Sequence, residues 1–79
     1  MNSIRQKFYM HIANNGLKEN DVWTIELQDK FYSCLNGYER NEYNYLIKEL
    51  IDNNLIIKND NKLVITKHGI EVIKESSES

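Results

Sequence analysis

Asn41 to Glu75 reads NEYNYLIKELIDNNLIIKNDNKLVITKHGIEVIKE, and its hydrophobic period changes from helix to strand and back without a spare residue. Tyr43, Leu46 and Leu50, flanked by Tyr45, Ile47 and Ile51, recur at three- and four-residue spacing, so residues 41–53 are expected to form a helix with one broad apolar face. Asn53 and Asn54 end it. Leu55, Ile56 and Ile57 then form a strand-forming run and Leu63, Val64 and Ile65 a second, while Asn59, Asp60 and Asn61 between them tolerate positive φ. The pattern predicts an antiparallel hairpin over residues 55–66. Thr66 offers a hydroxyl to cap a last helix whose Ile70 and Ile73 face the same way.

The stretch before Asn41 supplies the rest of a small core. Ser3 and Gln6 have capping-box spacing, Ile4, Phe8 and Ile12 repeat every four residues, and Asn15 with Gly16 stops the helix. Helix one is therefore expected over Ile4 to Asn14. Leu17 to Asp21 is a polar connection, Val22 and Trp23 read as a short strand or extended segment, and Thr24 caps a second helix with Ile25, Leu27, Phe31 and Leu35 as its apolar positions. Asn36 and Gly37 read as a second stop signal, followed by a loop to Arg40 and a new cap at Asn41. The expected order is helix, short strand, helix, helix, strand, strand, helix, with a core of Phe8, Trp23, Phe31, Leu46, Leu50, Ile65 and Ile70.

Seventy-nine residues, 41% of them hydrophobic, make one domain near the lower size limit for a self-sufficient core. The domain is expected over residues 1–75, with 76–79 as a disordered polar tail. So small a scaffold favours a binding face over an active site. One cysteine, Cys34, excludes an internal disulfide and a multi-thiolate zinc site, fits a reducing compartment, and reads as a small buried hydrophobe. No stretch is long enough to span a bilayer and no cationic, apolar-cored leader opens the chain, so a cytoplasmic protein is expected. The formal net charge is -2, distributed as +3 over Met1–Lys18, -4 over Glu19–Glu42, +1 over Tyr43–Ile70 and -2 over Glu71–Ser79. Attraction to phosphate is thus local and modest.

LIKELIDNNLIIK, an aliphatic helix ending in a polar pair and passing into a strand, and LVITKHGIEVIKE, a strand followed by threonine, two polar residues and glycine, together resemble the winged helix-turn-helix family of small bacterial and phage regulators. The resemblance spans most of the chain and fits Leu17 to Tyr38 only loosely. It implies an α+β fold, mainly α, with a three-helix core, a two-stranded wing and a short C-terminal helix. It also implies a sequence-specific transcriptional regulator of double-stranded DNA, with helix 41–53 in the major groove and the 55–66 hairpin as wing. By position it nominates Arg40, Asn41, Asn44, Tyr45 and Lys48 for the groove, and Lys58, Asn61 and Lys62 for the wing. These residue types suit the task, because arginine and lysine donate to guanine, asparagine pairs bidentately with adenine, and tyrosine donates to phosphate. Glu39, Glu42, Glu49 and Asp52 oppose it by offsetting positive charge along the same helix.

That opposition favours an alternative use of the same scaffold, a protein-interaction module such as a phage-type inhibitor of a host factor, with Tyr38, Tyr43 and Tyr45 as its contact surface. Each nominated polar residue also reads as part of an ordinary solvated helix face. A homodimer, lacking a long terminal dimerisation helix, would use helix one, the wing edge or a swapped segment. His11 and His68 are not accompanied by Cys, Asp or Glu in a metal-ligand pattern, so no metal or other cofactor is expected. No phosphate-binding glycine loop or nucleophile–base signature is present, and the chain does not read as an enzyme.

Overall fold

The structure, a computed structural model, describes residues 4–78. Four helices, α1 (Ile4–Asn14), α2 (Ile25–Ser33), α3 (Gly37–Asp52) and α4 (Lys67–Glu78), accompany three short strands, β1 (Val22–Trp23), β2 (Ile56–Asn59) and β3 (Lys62–Ile65). The result is a mostly helical α+β domain with one antiparallel sheet in the order β1-β3-β2. Val22 pairs with Val64 and Trp23 with Leu63, which adds β1 to the expected hairpin and makes a sheet of three strands.

The hairpin owes its register to its turn residues. Asn59 pairs with Lys62, leaving Asp60 and Asn61 as a two-residue turn, and both have positive φ (49° and 66°). That turn matches the right-handed twist of the flanking strands, and aspartate and asparagine tolerate its left-handed backbone better than other non-glycine residues. The loop before β1 is fastened to β3, the Asn20 amide donating to Ile65 O at 2.8 Å and the Ile65 amide to Asp21 O at 2.9 Å. Thr24 caps α2 as expected, its Oγ1 accepting from the Leu27 amide at 3.2 Å. Thr66 caps α4 by accepting from the Gly69 amide at 2.9 Å, and its hydroxyl donates to Asn54 O at 2.6 Å. Gly69 is required there because a Cβ would lie 2.2 Å from Leu55 O, so α4 crosses the α3–β2 junction at backbone contact. The α4 helix extends through Glu78, into the polar segment 76–79.

The core gathers Phe8, Ile12, Trp23, Phe31, Leu46, Leu50 and Ile65 with Ile4, Tyr9, Leu35, Tyr43, Leu55, Ile56 and Ile73. Six of the seven expected core residues are fully buried, while Ile70 packs against the cluster from a half-buried position. Phe8, Trp23 and Phe31 form its aromatic centre, with Phe8 4.8 Å from Trp23 and 5.5 Å edge-on to Phe31. Ile25, expected on the apolar face of α2, is 66% exposed at its first turn, and Cys34 is exposed, capping the end of α2 rather than filling the core.

The largest departure from expectation is the start of α3. Asn36 and Gly37, which read as a stop, begin the helix: Asn36 Oδ1 accepts from the Glu39 amide at 2.9 Å while Glu39 Oε1 accepts from the Asn36 amide at 3.0 Å. This reciprocal capping box replaces the expected cap at Asn41. Arg40 and Asn41 therefore lie inside the helix, and only residues 34–36 separate α2 from α3. The expected Ser3–Gln6 box lies outside the described residues because Ser3 does.

Candidate nucleic-acid interface

Within α3 successive side chains advance by about 100° around the axis, so each residue has a defined place. Tyr43, Leu46 and Leu50 point into the core, and Asn41, Asn44, Tyr45, Lys48 and Asp52 lie on the opposite, exposed side. Tyr45, expected to flank the apolar face, belongs instead to this outward side and is 77% exposed. Tyr38 joins it at 84%. Tyr43 does not, because its ring is buried and its hydroxyl accepts from Trp23 Nε1 at 3.0 Å while donating to Gln28 Oε1 at 3.2 Å. The three tyrosines are thus two surface groups and one core strut, so a contact surface made of all three is ruled out by the burial of Tyr43.

Two of the four acidic residues on α3 are paired with cations of α1. Glu39, besides capping, pairs with Lys7 at 2.5 Å, and Glu49 pairs with Arg5, so both carboxylates are held against α1. The Lys7 ammonium and the Asn36 amide hold the Glu39 carboxyl below its ordinary range. Among the described residues, the outward face itself retains Lys48, Glu42 and Asp52 as its charged groups. The same pairing consumes Arg5 and Lys7, two of the three cations that make the first eighteen residues positive.

Arg40 sits at the margin of that face and leans on α2. Its Nε donates to Tyr32 O at 3.3 Å and its guanidinium carbon lies 5.2 Å from the centre of the Tyr32 ring. This stacking closes the turn between the two helices. Asn36, Gly37, Tyr38, Arg40, Asn41 and Tyr32 line an open cleft of about 730 Å³ beside it. On the hairpin, Lys58, Asn61 and Lys62 are all exposed. Antiparallel partners share a face, so Lys58, opposite Leu63, and Lys62, opposite Asn59, stand on opposite faces of the ribbon, with Asn61 at its tip.

Sequence reasoning missed two polar groups. The His11 Nε2 atom is buried without a hydrogen-bond partner beside Trp23 and Phe31, whose ring centres lie 5.6 and 5.5 Å away. Tyr9, one residue past the Ile4–Phe8–Ile12 repeat, is 8% exposed. Position 9 continues the helical apolar stripe from Ile12, which was the signal available in the sequence. Among the described residues no three His, Cys, Asp or Glu side chains gather where a metal could bind, and no helix is long and apolar enough to cross a membrane.

Comparison of the chain with protein-family models, with curated proteins and with solved structures gives no match.

Proposed function

We propose that the chain is a winged-helix regulator that binds double-stranded DNA, with α3 in the major groove and the β2–β3 hairpin against the neighbouring backbone. The observation that carries this reading is the division of charge on α3. Glu39 and Glu49 are drawn to α1 by Lys7 and Arg5, leaving Asn41, Asn44 and Lys48 outward with no side-chain hydrogen bond or ion pair among the described residues. Asparagine and lysine at these positions read base edges, and Tyr45 donates to phosphate. Arg40 acts as a positioning residue, since its stack on Tyr32 fixes the angle at which α3 leaves α2. Lys58, Asn61 and Lys62 contact backbone without reading sequence.

Few cations take part, so binding is weak and its salt dependence shallow. With Lys48, Lys58 and Lys62 neutralising phosphate, log Kd should change with log salt at a slope of about 3. Fluorescence anisotropy on random duplex and on the DNA upstream of the protein's own gene tests this. Lys62→Glu should weaken all sequences alike and reduce the slope by about one, whereas Asn44→Ala should erode only the preference between sequences. Absence of salt-dependent binding at low ionic strength ends the proposal.

Tyr38 and Tyr45, both exposed on one helix face beside Glu42, favour a second reading as a protein-binding module, because tyrosine is enriched at interface centres and acidic groups repel DNA. Failure of DNA binding transfers the proposal to that surface.

A further inference from the structure

The flank of α3 that faces α1 and α4, away from Asn41 and Lys48, carries a cleft of about 430 Å³ lined by Arg5, Tyr9, Glu49, Asn53 and His68 over an apolar floor of Leu50, Leu55 and Val72. We propose that this cleft binds a free α-amino acid with an apolar side chain, its carboxylate on Arg5 and Tyr9 and its ammonium on Glu49. The inference uses none of Asn41, Asn44, Lys48 or the hairpin lysines, and shares only the Arg5–Glu49 pair with the DNA reading.

Tyr9 is the first reason. It is 8% exposed, it lines the cleft, and its hydroxyl has no hydrogen-bond partner among the described residues. The hydroxyl itself is open to solvent on the cleft side, so it is available to donate to a group entering the cleft. Burial raises its pKa while the Arg5 charge nearby opposes the rise, so the group is a neutral donor within the field of the guanidinium.

Charge balance identifies the ligand. Arg5 and Glu49 neutralise one another across the cleft and are each about half exposed (44% and 48%). A simple anion taking Arg5 leaves Glu49 without its partner, and a simple cation taking Glu49 leaves Arg5. A zwitterion meets both charges at once, with a gain reduced by solvent at this exposure. Asn53 Nδ2 already donates to Glu49 O at 2.9 Å, leaving Oδ1 to accept from the ammonium. His68 adds a donor at the rim. Leu50, Leu55 and Val72 then take the side chain, and the volume suits a small molecule.

The test is an amide chemical-shift titration of the full chain with L-leucine, 4-methylpentanoate, which lacks the ammonium, and 3-methylbutylamine, which lacks the carboxylate. L-Leucine should move the Arg5, Tyr9, Asn53 and His68 amides saturably with a Kd on the order of 1 mM. Each single-charge probe should bind about tenfold more weakly or worse, and Tyr9→Phe and Glu49→Gln should each weaken L-leucine by about tenfold. Lys48→Glu should leave its affinity unchanged. No saturable shift, equal binding of 4-methylpentanoate, or undiminished binding by Tyr9→Phe overturns the proposal. Should either variant lose the native dispersion of its spectrum, the three probes on the unaltered protein decide alone.

Discussion

Asn15–Gly16 and Asn36–Gly37 are the same dipeptide used for opposite purposes. At the first, Gly16 takes φ +65° and α1 ends. The Gly16 amide donates to Ala13 O at 3.1 Å and the Leu17 amide to Ile12 O at 3.2 Å, the paired bonds of a Schellman stop with Leu17 folded back on the core. At the second, Asn36 is extended at φ -81°, ψ 179°, its side chain and that of Glu39 exchange bonds with each other's amides, and Gly37 is simply the first helical residue. The residues just downstream of each pair set its role: Leu17 can return to the core as the residue after a stop, whereas Glu39 stands three residues past Asn36, where a capping box needs it. The functional cost of confusing them is one full turn of α3, which would place Arg40 before the helix instead of against Tyr32.

Matched substitutions at the two sites should separate them. The largest difference is expected from valine: Gly16→Val forces a β-branched residue into the left-handed region and should cost about 2 kcal/mol or more, whereas Gly37→Val should cost under about 1 kcal/mol, its Cβ meeting open space. Chemical denaturation of both variants measures this, and equal losses would break the contrast. Next, Asn36→Ala should cost about 1 kcal/mol through the lost cap, against a few tenths for Asn15→Ala, whose Nδ2 donates only to the exposed His11 carbonyl. Smaller still, and of opposite sign, Gly37→Ala should raise stability by about 0.4–1 kcal/mol by restricting the unfolded chain, while Gly16→Ala lowers it.

The pH profile separates the two ends of the helices without mutation. His11, in the last turn of α1, has its pKa lowered by burial among aromatic rings, with the Leu27 carbonyl opposing and Lys30 assisting. Its folded state therefore prefers the neutral ring, so the contribution is complete above the ordinary value of 6.5 and is lost as pH falls through the depressed folded value. Glu39, at the start of α3, has a lowered carboxyl pKa, and its contribution is complete above 4.5 and is lost only at more acidic pH. The denaturation midpoint should begin to fall below about pH 6.5 and again below pH 4.5. His11→Gln should remove the first decline and Glu39→Gln the second.

Local chemistry made much of this molecule readable from its sequence. The Ile4–Phe8–Ile12 repeat, the left-handed Gly16, the Asp60–Asn61 turn and the Thr66 cap each act within a few residues of themselves, so periodicity and turn preference sufficed to place α1, the hairpin and α4. The candidate site was only half legible. Asn41, Asn44, Tyr45 and Lys48 fall together on the outward face because helical spacing puts them there, whatever the exact start of α3.

What only tertiary structure decided is where groups distant in the chain meet. Tyr43 and Tyr45 are two residues apart and chemically identical, yet one anchors Trp23 and the other faces solvent, because the α3 axis fixes which side meets α2 and β1. The carboxylates of Glu39 and Glu49 look like obstacles to an anionic partner until α1 brings Lys7 and Arg5 against them. Tyr9 becomes a solitary donor in a cleft only when α1, α3 and α4 close around it. Periodicity along a chain determines which residues share a face, but the charge and the hydrogen-bonding capacity left on that face depend on what the other elements bring to it.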